Sequence, residues 1–203
     1  MSFAQAATLP VAGVTALRAL ELCGFVLGKR VLVTGASGGV GRFAVQLAAR
    51  AGARVTAVSR NAERARGLPE LGAAEVVHDL SGDTLYEAVI EGVGGATLGT
   101  ALGLVAARGT VVSFAASDPE PVSFPARSLF RRAPGATLHG LFVFEEIERA
   151  GSGGSDLARL AALVAAGELD AQIDLEGSWR EPGPAIVALL DRRVAGKAVL
   201  HVD

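Results

Sequence analysis

The heptapeptide GASGGVG at residues 35–41 concentrates the residue types in this chain that could do chemistry. Its spacing admits more than one reaction class, and the partner residues that each class needs must decide between them. As a dinucleotide site it places Ala36, Gly38 and Gly41 at the three small positions of a G-x-G-x-x-G fingerprint. The first makes a tight turn, the second lets the backbone approach a pyrophosphate, and the third lets helix and strand pack closely. Phosphates would accept hydrogen bonds from the first amides of the following helix, at the positive end of its dipole.

Two other patterns fit the same residues, and a third comes close. Thr34, Gly35, Gly39 and Gly41 satisfy T-G-x-x-x-G-x-G, the short-chain dehydrogenase pattern, whose chemistry needs a tyrosine with a lysine four residues on. The single tyrosine is Tyr86 and Ile90 stands at the required position, so that chemistry is excluded. Gly35, Ser37 and Gly39 also fit the G-x-S-x-G turn of a hydrolase nucleophile. A triad would draw its histidine from His78, His139 or His201, and the last two fall inside predicted strands, where a loop-borne histidine is not expected. A phosphate-binding P-loop fails because its outer glycines are one residue too far apart. Arg42-Phe43 also stands where Lys-Ser/Thr is needed.

The end of the next strand indicates which dinucleotide. NAD sites place an Asp or Glu there to bind the adenosine ribose. Here the strand RVTAVS (54–59) runs into Arg60 and Asn61, and the first acid is Glu63. A hydroxyl and a guanidinium suit the 2′-phosphate of NADP(H). Ser59 and Arg60 are therefore the specificity residues, with Asn61 and Arg64 behind them.

The elements that must position these residues can be read from the apolar pattern. Strand (30–34), glycine turn, helix and strand (54–59) make a βαβ unit with a right-handed crossover. A helix over 8–23 precedes it. Beyond it the pattern predicts a helix over 61–71, strands at 75–78 and 85–91, and a helix at 97–107. Strands at 109–114 and 136–144 follow. This is α/β: a Rossmann-type, doubly wound, mostly parallel six-stranded sheet with helices on both faces. Residues 1–150 are expected to form the dinucleotide-binding domain, and GSGGS (151–155) a flexible linker. Residues 156–203 make a small α/β extension (helix 156–166, strand 171–175, helix 183–195, strand 197–202).

Composition bounds the rest. The 203 residues are 50% hydrophobic and 20% charged, enough for one substantial folded domain. A net charge of −2 gives no electrostatic case for nucleic acid or a membrane surface. Cys23 is the single cysteine, so disulfides within the chain are excluded and a reducing, cytoplasmic location is expected. One cysteine and three scattered histidines supply no metal site. Only Lys29 and Lys197 could serve a mechanism that needs lysine.

Taken in order, LPVAGVTALRAL, VTGASGGVGRFAVQLA, LGAAEVV, VIEGVGG and GKAVLHV resemble the medium-chain dehydrogenase/reductase superfamily, in its zinc-independent, quinone-oxidoreductase-like branch. The resemblance spans nearly the whole chain and implies that an N-terminal GroES-like catalytic domain is absent. In full-length relatives the segment from about residue 168 packs on that domain. It implies cofactor contacts at Thr15, Ser37, Gly38, Gly39, Val40, Ser59 and Arg60. Gly92 and Val93, Phe114 and Ala115 (as far as Ser117), and Leu141 and Phe142 would border the nicotinamide end. It also implies hydride transfer from NADPH to a quinone, enone or related carbonyl compound. No catalytic residue is assigned, because the polar groups aimed at substrate come mainly from the absent domain. A cofactor-binding module without its own chemistry, a redox sensor or one subunit of a split enzyme, is the alternative. The apolar sixth strand, at the sheet edge, predicts a homodimer through residues 138–144.

Overall fold

Residues 3–22 form three consecutive helical pieces rather than the single helix expected over 8–23. The computed structural model describes residues 1–202. Helix α1 (Phe3–Ala7) starts at a capping box between Ser2 and Gln5. A π-helical turn, Leu9–Gly13, follows and leads directly into α2 (Val14–Leu22). Pro10, which lacks an N–H, stands in the first turn of this segment, where an amide would have no partner within it. The Thr15 hydroxyl donates to Val11 O at 2.6 Å, one turn back.

Strand β1 (Arg30–Val33) is buried after its first residue, with Val31 and Val33 in one layer of the core and Leu32 in the other. An apolar run covered on both faces belongs inside a parallel sheet. Helix α3 (Gly39–Arg50) follows the glycine turn, and β2 (Arg54–Val58) pairs parallel with β1. Strand β3 (Ala73–Val77) extends that side. The chain then crosses back to place β4 (Tyr86–Glu91) on the other side of β1. Helix α4 (Gly95–Gly103), β5 (Val105–Ser113), the short helix α5 (Arg127–Arg131) and β6 (Thr137–Gly140) complete the unit. The spatial order is β3-β2-β1-β4-β5-β6, the doubly wound, six-stranded parallel sheet that the sequence predicts. Its strand order reverses between β1 and β4, and ligands of such sheets bind at the carboxyl ends there.

Some predicted elements differ. Residues 61–71 form successive turns, because Gly67 at φ 82° and Pro69 break any helix. The helix expected over 97–107 ends at Gly103, and residues 105–107 already belong to β5. The strand expected over 136–144 stops at Gly140. Residues 143–150 instead form helix α6 (Val143–Ala150), with Glu145 and Glu146 in its first turn and Arg149 in its last, each suited to the helix dipole.

The GSGGS stretch, expected as a flexible linker, holds a helix junction: Gly151 closes α6 in the left-handed conformation, and α7 (Gly153–Ala165) begins two residues later. Asp156 in its first turn is buried and accepts from Arg18 Nε (2.9 Å) and Nη2 (2.6 Å) of α2. Ser152 Oγ also donates to it, at 2.9 Å. Asp156→Asn keeps one acceptor but removes the charge, and is expected to lower stability by about 2 kcal/mol in urea unfolding. Strands β7 (Ile173–Ser178) and β8 (Lys197–His201), with helix α8 (Gly183–Leu190) between them, form a two-stranded parallel sheet, and an isolated bridge pairs Gly196 with Gly38 of the glycine turn. The predicted helix over 183–195 is thus shorter, because Arg192 adopts φ 56°.

Candidate functional site

The glycine turn leaves β1 at its carboxyl end and delivers an uncapped helix. Gly38 at the N-cap makes no side-chain hydrogen bond to the N-terminus of α3, and amides at such a helix start can serve an anion. Gly41 sits against the turn itself: a Cβ there would lie 2.4 Å from Gly35 O and 2.6 Å from Ala36 Cα. No larger residue fits. Gly39 and Val40 open the helix, and the Lys197 side chain crosses over Gly39, where a Cβ would lie 2.7 Å from Lys197 Cδ. Burial pushes the Lys197 ammonium below its ordinary pKa.

A cleft of about 420 Å³ opens beside this turn, at the switch point. Ser37, Gly38, Ser59, Arg60, Asn61 and Arg64 form one side of its lining, and Gly92 and Val93 part of the other. With Ser117, which also lines it, nine of the sequence-predicted residues therefore share one cleft. Ser59 is buried at the end of β2, its hydroxyl donating to Asn61 O at 3.2 Å, and Arg60 is exposed at the rim. Asn61 Oδ1 accepts from Arg64 N at 3.0 Å and so fixes the turn that carries Arg64. Arg64 Nη2 reaches Ser37 O at 3.5 Å, and its Nε is buried with no partner among the described residues. Burial, and then the charge of Arg192, hold the Arg64 guanidinium below its usual pKa. Such a group is suited to an anion.

Arg192 was not singled out by sequence reasoning. It lies on the turn after α8, also lines the cleft, and donates to Ser117 O at 3.1 Å. The neighbouring Asp191 carboxylate is engaged by Arg193. One signal was available, since an arginine pair before a glycine precedes the final strand. Glu91 was missed too. It ends β4, is fully buried, and its Oε1 accepts from Thr34 Oγ1 (3.1 Å), Val93 N (2.8 Å) and Gly94 N (2.9 Å). Its Oε2 accepts from Ser113 Oγ at 3.3 Å. The carboxylate thus ties β1, β5 and the cleft-lining loop together. A carboxylate closing an apolar strand was the sequence signal.

The remaining predicted residues stand outside the cleft lining. Thr15 is buried at the start of α2. The Phe114 ring packs on Gly92, Ala115 is exposed, and Leu141 is core. Phe142 is exposed and makes an edge contact with Phe144, ring centroids 5.5 Å apart. The hydrolase reading finds no support in geometry. His78 bonds Ser59 O at 2.9 Å, His201 pairs with Glu176, and His139 lies on β6, so no histidine serves Ser37 among the described residues. Cys23 is buried, and burial pushes its thiol up to about 12. It is expected to resist a thiol reagent at pH 8 in the native protein and to react fully in guanidinium chloride.

A basic cleft at the switch point of a doubly wound sheet, beside a glycine turn with no room for a side chain at Gly41, defines a dinucleotide-binding domain. The family model described as "Zinc-binding dehydrogenase" matches residues 39–151, over half of the chain, and the chain belongs to that family, within the medium-chain dehydrogenase/reductase superfamily. Prostaglandin reductase-3 of Bos taurus is 32% identical over 191 residues, covering 84% of this chain and 49% of that protein. A mycobacterial protein solved in complex with NADPH matches with TM-score 0.85 and 25% identity, over 98% of this chain and 65% of that one. The quinone oxidoreductase from Coxiella burnetii matches with TM-score 0.80 and 29% identity, over 100% of this chain and 62% of that one. The chain spans about half the length of the first relative and under two thirds of both solved structures. The family name refers to zinc. Among the described residues no group of three His, Cys, Asp or Glu side chains could hold a metal ion, and Cys23 and the three histidines lie apart, so these residues do not fit zinc. No helix among them is long and apolar enough to cross a membrane.

Proposed function

We propose that this chain is the NADP(H)-binding part of a zinc-independent oxidoreductase that reduces a quinone, enone or related carbonyl compound. The observation that carries the reading is the arginine-bearing cleft wall: Arg60, Arg64 and Arg192 line it beside one carboxylate, Asp191, which Arg193 engages, and the buried Arg64 Nε lacks a partner among the described residues. In this reading the first amides of α3, at Gly39 and Val40 beside Ser37 and Gly38, hold the pyrophosphate. Ser59, Arg60, Asn61 and Arg64 bind the 2′-phosphate. Gly92, Val93, Phe114, Ala115, Leu141 and Phe142 border the nicotinamide, with Thr15 at the helix behind it.

Bound NADPH supplies a hydride from its C4 position. The chain's own part is to orient that ring and exclude water. None of the six residues bordering it carries a side chain able to donate a proton, so the chain alone is expected to bind NADPH and turn over little. The proposed setting is cytoplasmic. A homodimer is proposed through the β6 edge, where Leu138 is exposed and, among the described residues, β6 pairs only with β5. Calorimetric titration tests the reading, with NADPH expected to bind at least about tenfold tighter than NADH through the 2′-phosphate contacts. Equal affinities would overturn the roles of Ser59 and Arg60. Quinone reduction by this chain alone at ordinary enzyme rates would overturn the expected dependence on further residues.

A further inference from the structure

We propose that Arg42 is a positioning residue for coenzyme selectivity, tying both arginine-bearing walls of the cleft to the first turn of α3. The proposal rests on the reading of the cleft as an NADPH site. Arg42 follows Gly41, and its side chain is buried and stands outside the cleft lining. Nη2 donates to Arg64 O at 2.8 Å and to Arg66 O at 2.9 Å, so one nitrogen grips the turn that carries Arg64. Nη1 donates to Gln172 Oε1 at 2.6 Å, in the C-terminal segment.

Gln172 transmits that grip. It adopts φ 54°, and its carbonyl accepts from Lys197 N at 2.8 Å. Gly196 packs so closely that a Cβ there would lie 2.4 Å from Gln172 O and 3.4 Å from Arg42 Cδ. Asp174 Oδ2 accepts from Ala195 N at 2.8 Å. The segment leading from Arg192 to β8 is thereby seated on Arg42. One guanidinium holds the turn of Arg64 on one side and the approach to Arg192 on the other.

The chemistry of the residue agrees. Asp170 and Asp174 lie near enough to act on the charge, as does Arg64 with the opposite sign, but no carboxylate pairs with Arg42 among the described residues. Asp170 Oδ1 is occupied by Gln172 N, and Asp174 Oδ2 by Ala195 N. Every donor that Arg42 uses goes to a neutral carbonyl, and its Nε has no partner among the described residues. A buried charge without an ion pair is a poor way to gain stability. What the planar fork supplies is fixed geometry between three segments.

The test compares NADPH and NADH affinities of the purified chain with those of Arg42→Met, Arg42→Lys and Gln172→Leu, with circular dichroism on each. In Arg42→Met the NADPH affinity is expected to fall about tenfold, the value of one displaced charge-assisted contact, and the NADH affinity less than about twofold. Gln172→Leu, which frees only the C-terminal wall, should show part of that selective loss, and Arg42→Lys should recover part of it. Equal loss for both coenzymes, or no change in their ratio, overturns the proposal. If Arg42→Met does not fold, Gln172→Leu decides by the same ratio. A wild-type chain that does not prefer NADPH refutes the underlying reading of the cleft. A wild-type preference that survives these substitutions refutes the role of Arg42 alone.

Discussion

Gly41→Ala should abolish measurable NADPH binding and lower the melting temperature by about 10 °C. The added carbon would stand 2.4 Å from Gly35 O and within 3 Å of two backbone atoms of Ala36. Backbone cannot swing aside as a flexible side chain can, so either the turn or the helix start must shift. Overpacking of this kind costs about 3 kcal/mol, which at this chain length corresponds to roughly 10 °C. Binding suffers more than stability because the displaced atoms are those proposed to hold the pyrophosphate. Gly103→Ala is the control: it lies in α4 with open space around its Cα, and alanine there should leave both melting and binding essentially unchanged. Thermal melts and coenzyme titrations of the two variants side by side measure this. Wild-type affinity in Gly41→Ala would mean that the turn does not carry the pyrophosphate.

The second large effect is expected at Glu91. Glu91→Ala strips the amides of Val93 and Gly94 and the hydroxyls of Thr34 and Ser113 of a common acceptor. The hydroxyls can rotate to other partners; the amides cannot, and the expected cost is about 3 kcal/mol. Glu91→Gln separates hydrogen bonding from charge. Its carbonyl can stand where Oε1 accepts three bonds, and its amide can face the Ser113 hydroxyl, which then accepts. That variant is expected to lose only about 1 kcal/mol. Because the residue 92–94 loop lines the cleft, Glu91→Ala should also weaken NADPH more than Glu91→Gln does. Chemical unfolding and titration give both quantities, and equal losses in the two variants would contradict the network.

The difference between what was legible in the sequence and what was not has a physical basis. The βαβ unit could be read because its signals are local: a β-branched run, glycines that only a tight turn needs, and an apolar stripe at helical spacing. The absence of an acid after Val58 pointed to Ser59, Arg60, Asn61 and Arg64, and these four share the cleft. The failures fall where short-range pattern is ambiguous. Apolar residues 141–144 continue the alternation of β6, yet the acidic pair Glu145 and Glu146 favours a helix start, and the helix prevails. The turns at 61–71 carry helix-forming residues but also Gly67 and Pro69. GSGGS has the composition of a linker, but the buried Asp156 just beyond it anchors α7 to Arg18. Arg192, Glu91 and Arg42 act through partners more than twenty residues away in most of their contacts, and no local pattern announces such pairings.

A crystal structure of this chain grown with NADPH tests the central claim most directly. The account predicts the pyrophosphate on the amides of Gly39 and Val40, and the 2′-phosphate within hydrogen-bonding distance of Arg60 or Arg64. Coenzyme bound elsewhere, or a cleft that stays empty at saturating NADPH, would contradict it.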